Sequence, residues 1–494
     1  VKPFTLSVPK QQFRGIDRRV AGTAADPDSC HDALNLDLTL AGRLRRRPGV
    51  SKFIELPPGT FGLYPRDGVL RVVAPAGNGA DSFSHPSLGI DVIGDSVSEP
   101  TDPGRYIAVT SRTSWGVGGN GSMPYLVLKT AGGQYAHHWI RAAPASPGAP
   151  VSTLIATGFD AGPHVAKIQE KLYATDRINR VVRFCSTQYG PWVWDETLAP
   201  ADAGFIDPKK HALAGMDPQG LTIHQGKLVI VYENAMQLWT VDPDPGNHVF
   251  VGALNGPGTR FFGTLSPVIG DLFYFSEGGF RSLATQTVTG ELREGDIGSA
   301  IQALTAALEQ VDPAGPQSLW VQSTSQYLAF FPRDGGTDVF AFTWSQQAGV
   351  MGWTRWVLSK QVSAVCEQNG VVYFREGDVV YKLDPESGHD HDDTCQDEFE
   401  SVFESQLVNA GIPAFRKLWT SVDVAAEGVY DLAFADGRNR DYLDVDLDIG
   451  GDTFDALGLP LSHVANAIAV RVAAREAIEL DRIDLNGSIL MTAP

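Results

Sequence analysis

The sequence predicts an all-β fold built as a β-propeller of six or seven irregular blades, with an N-terminal arm and an appended C-terminal β domain. The first observation behind this is a cassette of turn, apolar run, turn and second apolar run that keeps returning. With Leu70, Leu126, Leu172, Leu228, Leu272, Leu328 and Val372 as markers, the spacings are 56, 46, 56, 44, 56 and 44 residues. A repeat of roughly 40 to 55 residues made only of strands and turns is the signature of propeller blades, each too small to bury both faces unless it packs on neighbours around an axis. Secondly, 52 Gly and 31 Pro punctuate many short strands. Thirdly, 494 residues exceed one ordinary domain, and closed all-β folds run long, which leaves room for a ring and one further domain.

In chain order, residues 1–33 read as an irregular arm, with Gln11 to Arg19 followed by a small and polar stretch through Asp28. A hairpin follows, in which Leu34, Leu36, Leu38 and Leu40 alternate with Asn35, Asp37 and Thr39, the period of a strand with one buried face. Ala41-Gly42 turns it, Leu44 continues the return strand, and Pro48-Gly49 stops it. The propeller is expected over 34–385, with a Gly-, Ser-, Asp- and Pro-rich insertion at 74–103 and a shorter one at 144–150. Between Asp296 and Glu309, Ile297, Ile301, Leu304 and Leu308 fall at helical spacing, predicting a helix on the side of a blade. Residues 386–400 form an acid-rich connector, and 401–494 a separate β domain with strands at 418–424, 429–434, 467–472 and 478–485.

Composition narrows the function classes. A net charge of −19 argues against a protein that wraps nucleic acid, because phosphate affinity needs clustered Lys and Arg that release counterions. It is compatible with a wall past which DNA slides. No apolar run approaches the length of a membrane-spanning helix, and the start at Val1 lacks the apolar core of a signal peptide. Cys30, Cys185, Cys366 and Cys395 lie far apart without a C-x-x-C pair, which predicts free thiols in a reducing compartment.

Several constellations touch on chemistry. Gly116 to Gly121 satisfies G-x-G-x-x-G but leads into the strand-like Tyr125-Leu126-Val127-Leu128, where a dinucleotide site needs a helix, so no cofactor is expected. Asp444, Asp446, Asp448 and Asp455 mimic an EF-hand, yet Ile449 stands where the loop needs Gly, and alternation with Leu443, Val445 and Leu447 predicts a strand with an acidic face. His389, Asp390, His391 and Asp393 are the dense cluster of metal-ligand types, a solvated tip or a structural ion site without a second ligand pair. No G-x-S-x-G elbow, Walker lysine loop or H-E-x-x-H helix is present, and no catalytic residue is expected. Arg43, Arg45, Arg46 and Arg47 form the single basic run, read either as a charged hairpin edge or as a tip that docks on an acidic partner.

The hairpin from Asn35 to Gly49 resembles the N-terminal pattern N-x(6)-G-x-L-x-x-R-P-G of the tail nozzle proteins of short-tailed bacteriophages, also called tail tubular protein B, and of the related packaged-DNA stabilisation proteins. Phe275 to Leu283, Asp296 to Ile301, Gly352 to Trp356 and Pro413 to Trp419 resemble later segments of that family in the same order. The resemblance implies a non-enzymatic virion protein, assembled in the bacterial host cytoplasm. It would form a homo-hexameric ring below the portal and adaptor that passes double-stranded DNA without gripping it and retains the genome until ejection. Tail fibres or spikes at the periphery and a plug or needle below are the implied partners. Two other readings stand beside it: a propeller hydrolase or lyase acting on polysaccharide, such as a phage depolymerase, and a lectin-like adhesion propeller using Trp192, Trp194, Trp353 and Trp356 as sugar platforms.

Overall fold

The computed structural model describes residues 2–19, 26–66, 68–75, 83–93, 109–110, 125–129, 135–140, 152–156, 161–168, 171–176, 179–186, 203–211, 216–256, 258–285, 292–313, 315–387, 389–391, 396–436, 439–453 and 458–490. The expected all-β propeller arrangement is present, together with a large additional sheet. Its repeating unit is a meander of antiparallel strands in chain order, seen over 161–206, 220–255 and 266–296. Tight turns set these registers. Gln225-Gly226 and Asn369-Gly370 both take positive φ at two successive positions, the backbone of the two-residue hairpin that matches strand twist, so a glycine in second place is cheap where a β-branched residue is not.

Strands such as Asp271–Ser276 and Gln326–Arg333 are apolar almost throughout because sheets pack on both of their faces. Val229, Val231, Met236 and Leu238 of one sheet meet Leu272, Tyr274 and Leu283 of the next. The same contact recurs where Leu63, Leu70, Val72 and Leu88 meet Ala364, Cys366 and Val380. Here chain order closes on itself, because strand Gly49–Glu55 pairs with Val379–Asp384 before the chain runs on into Phe61–Arg66. Arg375 staples this seam from a buried position. Its guanidinium donates to the carbonyls of Gly377 at 2.6 Å, Gly62 at 3.2 Å and Thr60, and to the Thr60 hydroxyl at 2.7 Å.

The additional sheet begins where the meander 317–358 ends. Cys30–Leu34 lies between Val350–Leu358 and Ser401–Ser405, and the order continues through Ala469–Ala474, Lys417–Ala435, Ile478–Ile489, Leu44–Arg46 and Leu36–Leu38. Hydrogen bonding therefore runs unbroken across the boundaries expected at residues 33 and 401. The N-terminal arm is also more regular than its composition suggests: Lys2–Val8 pairs along its whole length with Ile483–Ile489. Two strands expected near 418–424 and 429–434 are one 19-residue strand, Lys417–Ala435, bent at Gly428 (φ 110°), where a side chain would strike the Ala477 carbonyl. Lys417 is fully buried yet fully satisfied, its ammonium donating to the carbonyls of Ile412, Phe415 and Asn466 at 2.6, 2.9 and 2.8 Å.

Other expectations are adjusted by packing. The helix over 296–309 is a tighter run of 3-10 turns around Gln302–Thr305, burying Ile301 and Leu308 as its period predicted. Part of the 74–103 insertion is strand, since Leu88–Ile93 pairs in parallel with Val69–Pro75; residues 94–103 lie outside the described residues. The acidic strand forms as Leu443–Gly450, but Leu443 and Leu447 are exposed along with Asp444, Asp446 and Asp448. Asp455 and the shorter insertion at 144–150 lie outside the described residues.

Candidate functional site

The arginine run divides by strand geometry. Leu44–Arg46 is covered on one side by Ile478–Ile489 and on the other by Leu36–Leu38, so Leu44 and Arg46 turn in and Arg45 turns out, while Arg47 lies just past the strand. Arg47 turns in and uses all five of its donors. Its Nε reaches Asn35 Oδ1 at 3.1 Å; Nη1 reaches Asp390 Oδ1 at 2.8 Å and the Pro48 carbonyl at 2.9 Å; Nη2 reaches Asp390 Oδ2 at 2.7 Å and the Val357 carbonyl at 2.9 Å. Arg46, also buried, donates to the carbonyls of Glu476 at 2.7 Å and Phe399 at 2.9 Å. Both guanidiniums stack on the Phe399 ring, 4.0 and 3.6 Å from its centroid. Burial, reinforced by the adjacent Arg47 charge, pulls the Arg46 pKa down to about 10.

Arg46 and Arg47 thus lack the exposure that a docking tip needs, because they bolt the hairpin to the acidic connector. Arg43 and Arg45 turn out. Arg43 pairs with Glu479 at 3.0 Å and Asp481 at 3.3 Å, and Arg45 lies 3.7 Å from Asp37. Of the expected metal cluster, Asp390 has both oxygens committed to Arg47, and His389 is half-buried. The side chains of His391 and Asp393 lie outside the described residues, among which no group of three metal-ligand side chains comes together.

This bolt shapes a cleft of about 400 Å³ at the junction of propeller and additional sheet. One wall is the connector at Pro385, Glu386 and Ser387; the other is the bend at Glu427-Gly428 with Ala477 to Glu479; Arg45 stands at the hairpin side. Close backbone approach builds both walls. The amides of Gly49 and Val50 donate to the carbonyls of Ser387 and His389, each at 3.1 Å, and a side chain at Gly49 would strike both carbonyls. A second hollow of about 660 Å³ adjoins along Ala477, carrying His389, Glu398, Asp431, Asp448 and Glu476. Glu386 and Glu427 are exposed and have no side-chain hydrogen bond or ion pair among the described residues.

Sequence reasoning missed Asn35, Asp390 and Phe399 as partners of the run, and Glu386 and Glu427 as cleft walls. The Asn35 side chain is the one with a signal, since it opens the N-x(6)-G pattern. That asparagine takes φ 53°, and its amide oxygen also accepts the Val357 amide at 2.8 Å. The tryptophan platforms are not formed at Trp353 and Trp356. Both are buried and donate to the carbonyls of Ile297 at 2.6 Å and Leu36 at 2.8 Å, while Trp192, Trp194 and the 116–121 glycine motif lie outside the described residues.

No family model and no curated protein matches the chain. Solved structures do. A 6-phosphogluconolactonase-type protein from Bacteroides fragilis is similar at 13% identity and TM-score 0.35, over 56% of this chain and 78% of that one. The periplasmic gluconolactonase of Pseudomonas aeruginosa is similar at 10% identity and TM-score 0.36, over 72% and 82%. A protein from Lactobacillus plantarum is similar at 10% identity and TM-score 0.34, over 71% and 84%. These findings correct the resemblance stated from sequence: the structural neighbours are propellers, two of them with lactonase names, and not tail nozzle proteins. They also correct the expectation that the chain is not an enzyme. Likeness at these scores transfers no substrate or mechanism to this chain. The segments that carried the resemblance have packing roles instead: Phe280 lies 4.5 Å from Trp353 ring to ring, Asp296 caps the amides of Gly298 and Ser299, and Gly352 admits the Arg14 backbone. The portal, tail-fibre, plug and virion expectations were implied by that resemblance.

Proposed function

We propose that this chain is a propeller hydrolase acting on polysaccharide, with the junction cleft as its substrate site and Glu386 and Glu427 as its working carboxylates. The observation that carries the reading is a concave, mixed-charge cleft with exposed glutamates from independent chain segments on its two walls, Glu386 and Glu427, neither holding a hydrogen bond or ion pair through its side chain among the described residues. Glycoside hydrolysis needs such a pair. One carboxyl protonates the leaving oxygen while the other activates water or attacks the anomeric carbon, so that water is added across the broken C–O bond. Arg45 supplies a positive edge for orienting substrate.

The ring itself is inferred to have seven blades. Supporting this, seven sheets follow in chain order from Phe61 to Asp384 among the described residues, all but the first an antiparallel meander, and the apolar faces of the last and first pack together. Release of reducing ends from a panel of neutral and acidic polysaccharides tests the function. The expected outcome is turnover by the native chain that falls by about 10²- to 10⁴-fold in Glu386→Gln and in Glu427→Gln, with folding unchanged. Turnover that survives both substitutions would move the chemistry elsewhere.

A further inference from the structure

We propose that Asp37 is a positioning residue for the junction cleft, holding the Arg45 guanidinium when ionised and releasing it to an anionic sugar, a uronate, when protonated. This rests on the hydrolase reading of the cleft. Asp37 and Arg45 are directly opposite in the hairpin, yet their environments differ. The Asp37 side chain is 5% exposed and that of Arg45 46%, so a buried carboxyl faces a cation that lines the cleft. One carboxylate oxygen of Asp37 lies 3.7 Å from the Arg45 guanidinium. The other accepts from the Gln326 amide, which also donates to the Thr343 hydroxyl at 3.2 Å.

Every element packed against Asp37 is otherwise neutral towards it. Gln326 and Thr343 come from the blade, Trp356 on the adjoining strand donates to the Leu36 carbonyl, and Ser401 of the additional sheet donates to the Asn35 carbonyl. Among the described residues, Arg45 is the charged group that acts on it. Burial raises the Asp37 carboxyl to about 6, against the opposing pull of Gln326 and Arg45. Its charge therefore changes within the working range of an enzyme.

The cleft sets the sign of the consequence. Glu386, Glu427 and Glu479 repel an anion, and of the three arginines on the lining Arg46 and Arg47 are spent on internal partners. Net attraction for a uronate carboxylate then depends on whether the Arg45 charge is neutralised from behind. A guanidinium set free takes a carboxylate in a bidentate fork.

The probes are oligogalacturonate and its neutral methyl ester, with affinities measured at pH 5 and pH 7.5. The native chain is expected to bind the acid on the order of tenfold more tightly at pH 5, the worth of one nearby charge in a half-exposed site, and the ester equally at both. Asp37→Asn should bind the acid tightly at both values, and Arg45→Gln should lose the preference for acid over ester. A pH dependence that persists in Asp37→Asn overturns the proposal, as does acid and ester binding alike at every pH. Binding of neither oligomer overturns the uronate proposal, whereas the hydrolase reading falls only if turnover is absent across the polysaccharide panel. A second measurement needs no ligand: the Asp37 carboxyl, titrated by carbon NMR, should shift upward in Arg45→Gln, and an unmoved midpoint overturns the coupling.

Discussion

Two seams hold this molecule together, and each is closed by a buried arginine with a different set of acceptors. At the closure of the propeller, Arg375 spends its donors on the carbonyls of Thr60, Gly62 and Gly377 and on the Thr60 hydroxyl, with a carboxylate, Asp378, only at the half-exposed edge at 3.2 Å. At the junction with the additional sheet, Arg47 faces a carboxylate, Asp390, that is as buried as itself, with side-chain exposures of 0% and 2%. Burial pulls the Arg375 pKa down to about 10, since carbonyl dipoles repay only part of its lost hydration. The difference teaches what each seam tolerates: neutral acceptors left behind cost a few unmade hydrogen bonds, whereas an abandoned buried carboxylate costs far more.

The largest effect is therefore expected at the junction. Arg47→Met should lower stability by about 3–5 kcal/mol in urea melts, and adding Asp390→Leu should recover most of it, because the second change removes the stranded charge. A double variant no better than the single would show that the bond to Asn35 and the stacking on Phe399, and not the ion pair, hold the seam. Next comes the hairpin acid. Burial raises the native Asp37 carboxyl from its ordinary 3.8 to about 6, so between these values the folded chain holds a proton that the unfolded chain has lost. Stability from this group is full below about pH 4 and is lost as pH rises through 6, a swing of roughly 2–3 kcal/mol. Asp37→Asn, which mimics the protonated form, should match the native chain near pH 4 and exceed it at pH 7.5.

Arg375→Met should cost about 1–3 kcal/mol, less than Arg47→Met, and should open the propeller seam first, read as faster hydrogen exchange in 371–376 and 379–384. A larger loss than at Arg47 would break the comparison between the seams. The smallest effect belongs to the outward side of the run. Arg43 pairs with Glu479 and Asp481 in solvent, and Arg43→Ser should leave the thermal midpoint unmoved.

The propeller was legible because its signal is local. Six of the seven cassette markers are buried in the strands of their sheets, and Leu126 lies in a strand whose side chains are outside the described residues. The additional sheet was half legible. Its strands near 418, 478 and 443 could be read from alternation, but the pairing of Lys2–Val8 with Ile483–Ile489 joins opposite ends of the chain and leaves no local trace. The arginine run misled for the same reason. Four arginines in five positions look exposed until partners some 340 residues away, at Asp390 and Phe399, turn two of them inward. Asp37 misled in turn: alternation placed it on a solvent face, and the blade behind the hairpin buries that face as well.

Whether the junction cleft is where substrate sits is tested most directly by hydrogen exchange of the doubly substituted Glu386→Gln, Glu427→Gln chain with and without a polysaccharide fragment. Binding is expected to protect amides in 385–391, 427–431 and 473–479, the segments that form the two adjoining hollows. Protection confined to loops at the ends of the propeller, with these three segments unchanged, would contradict the account.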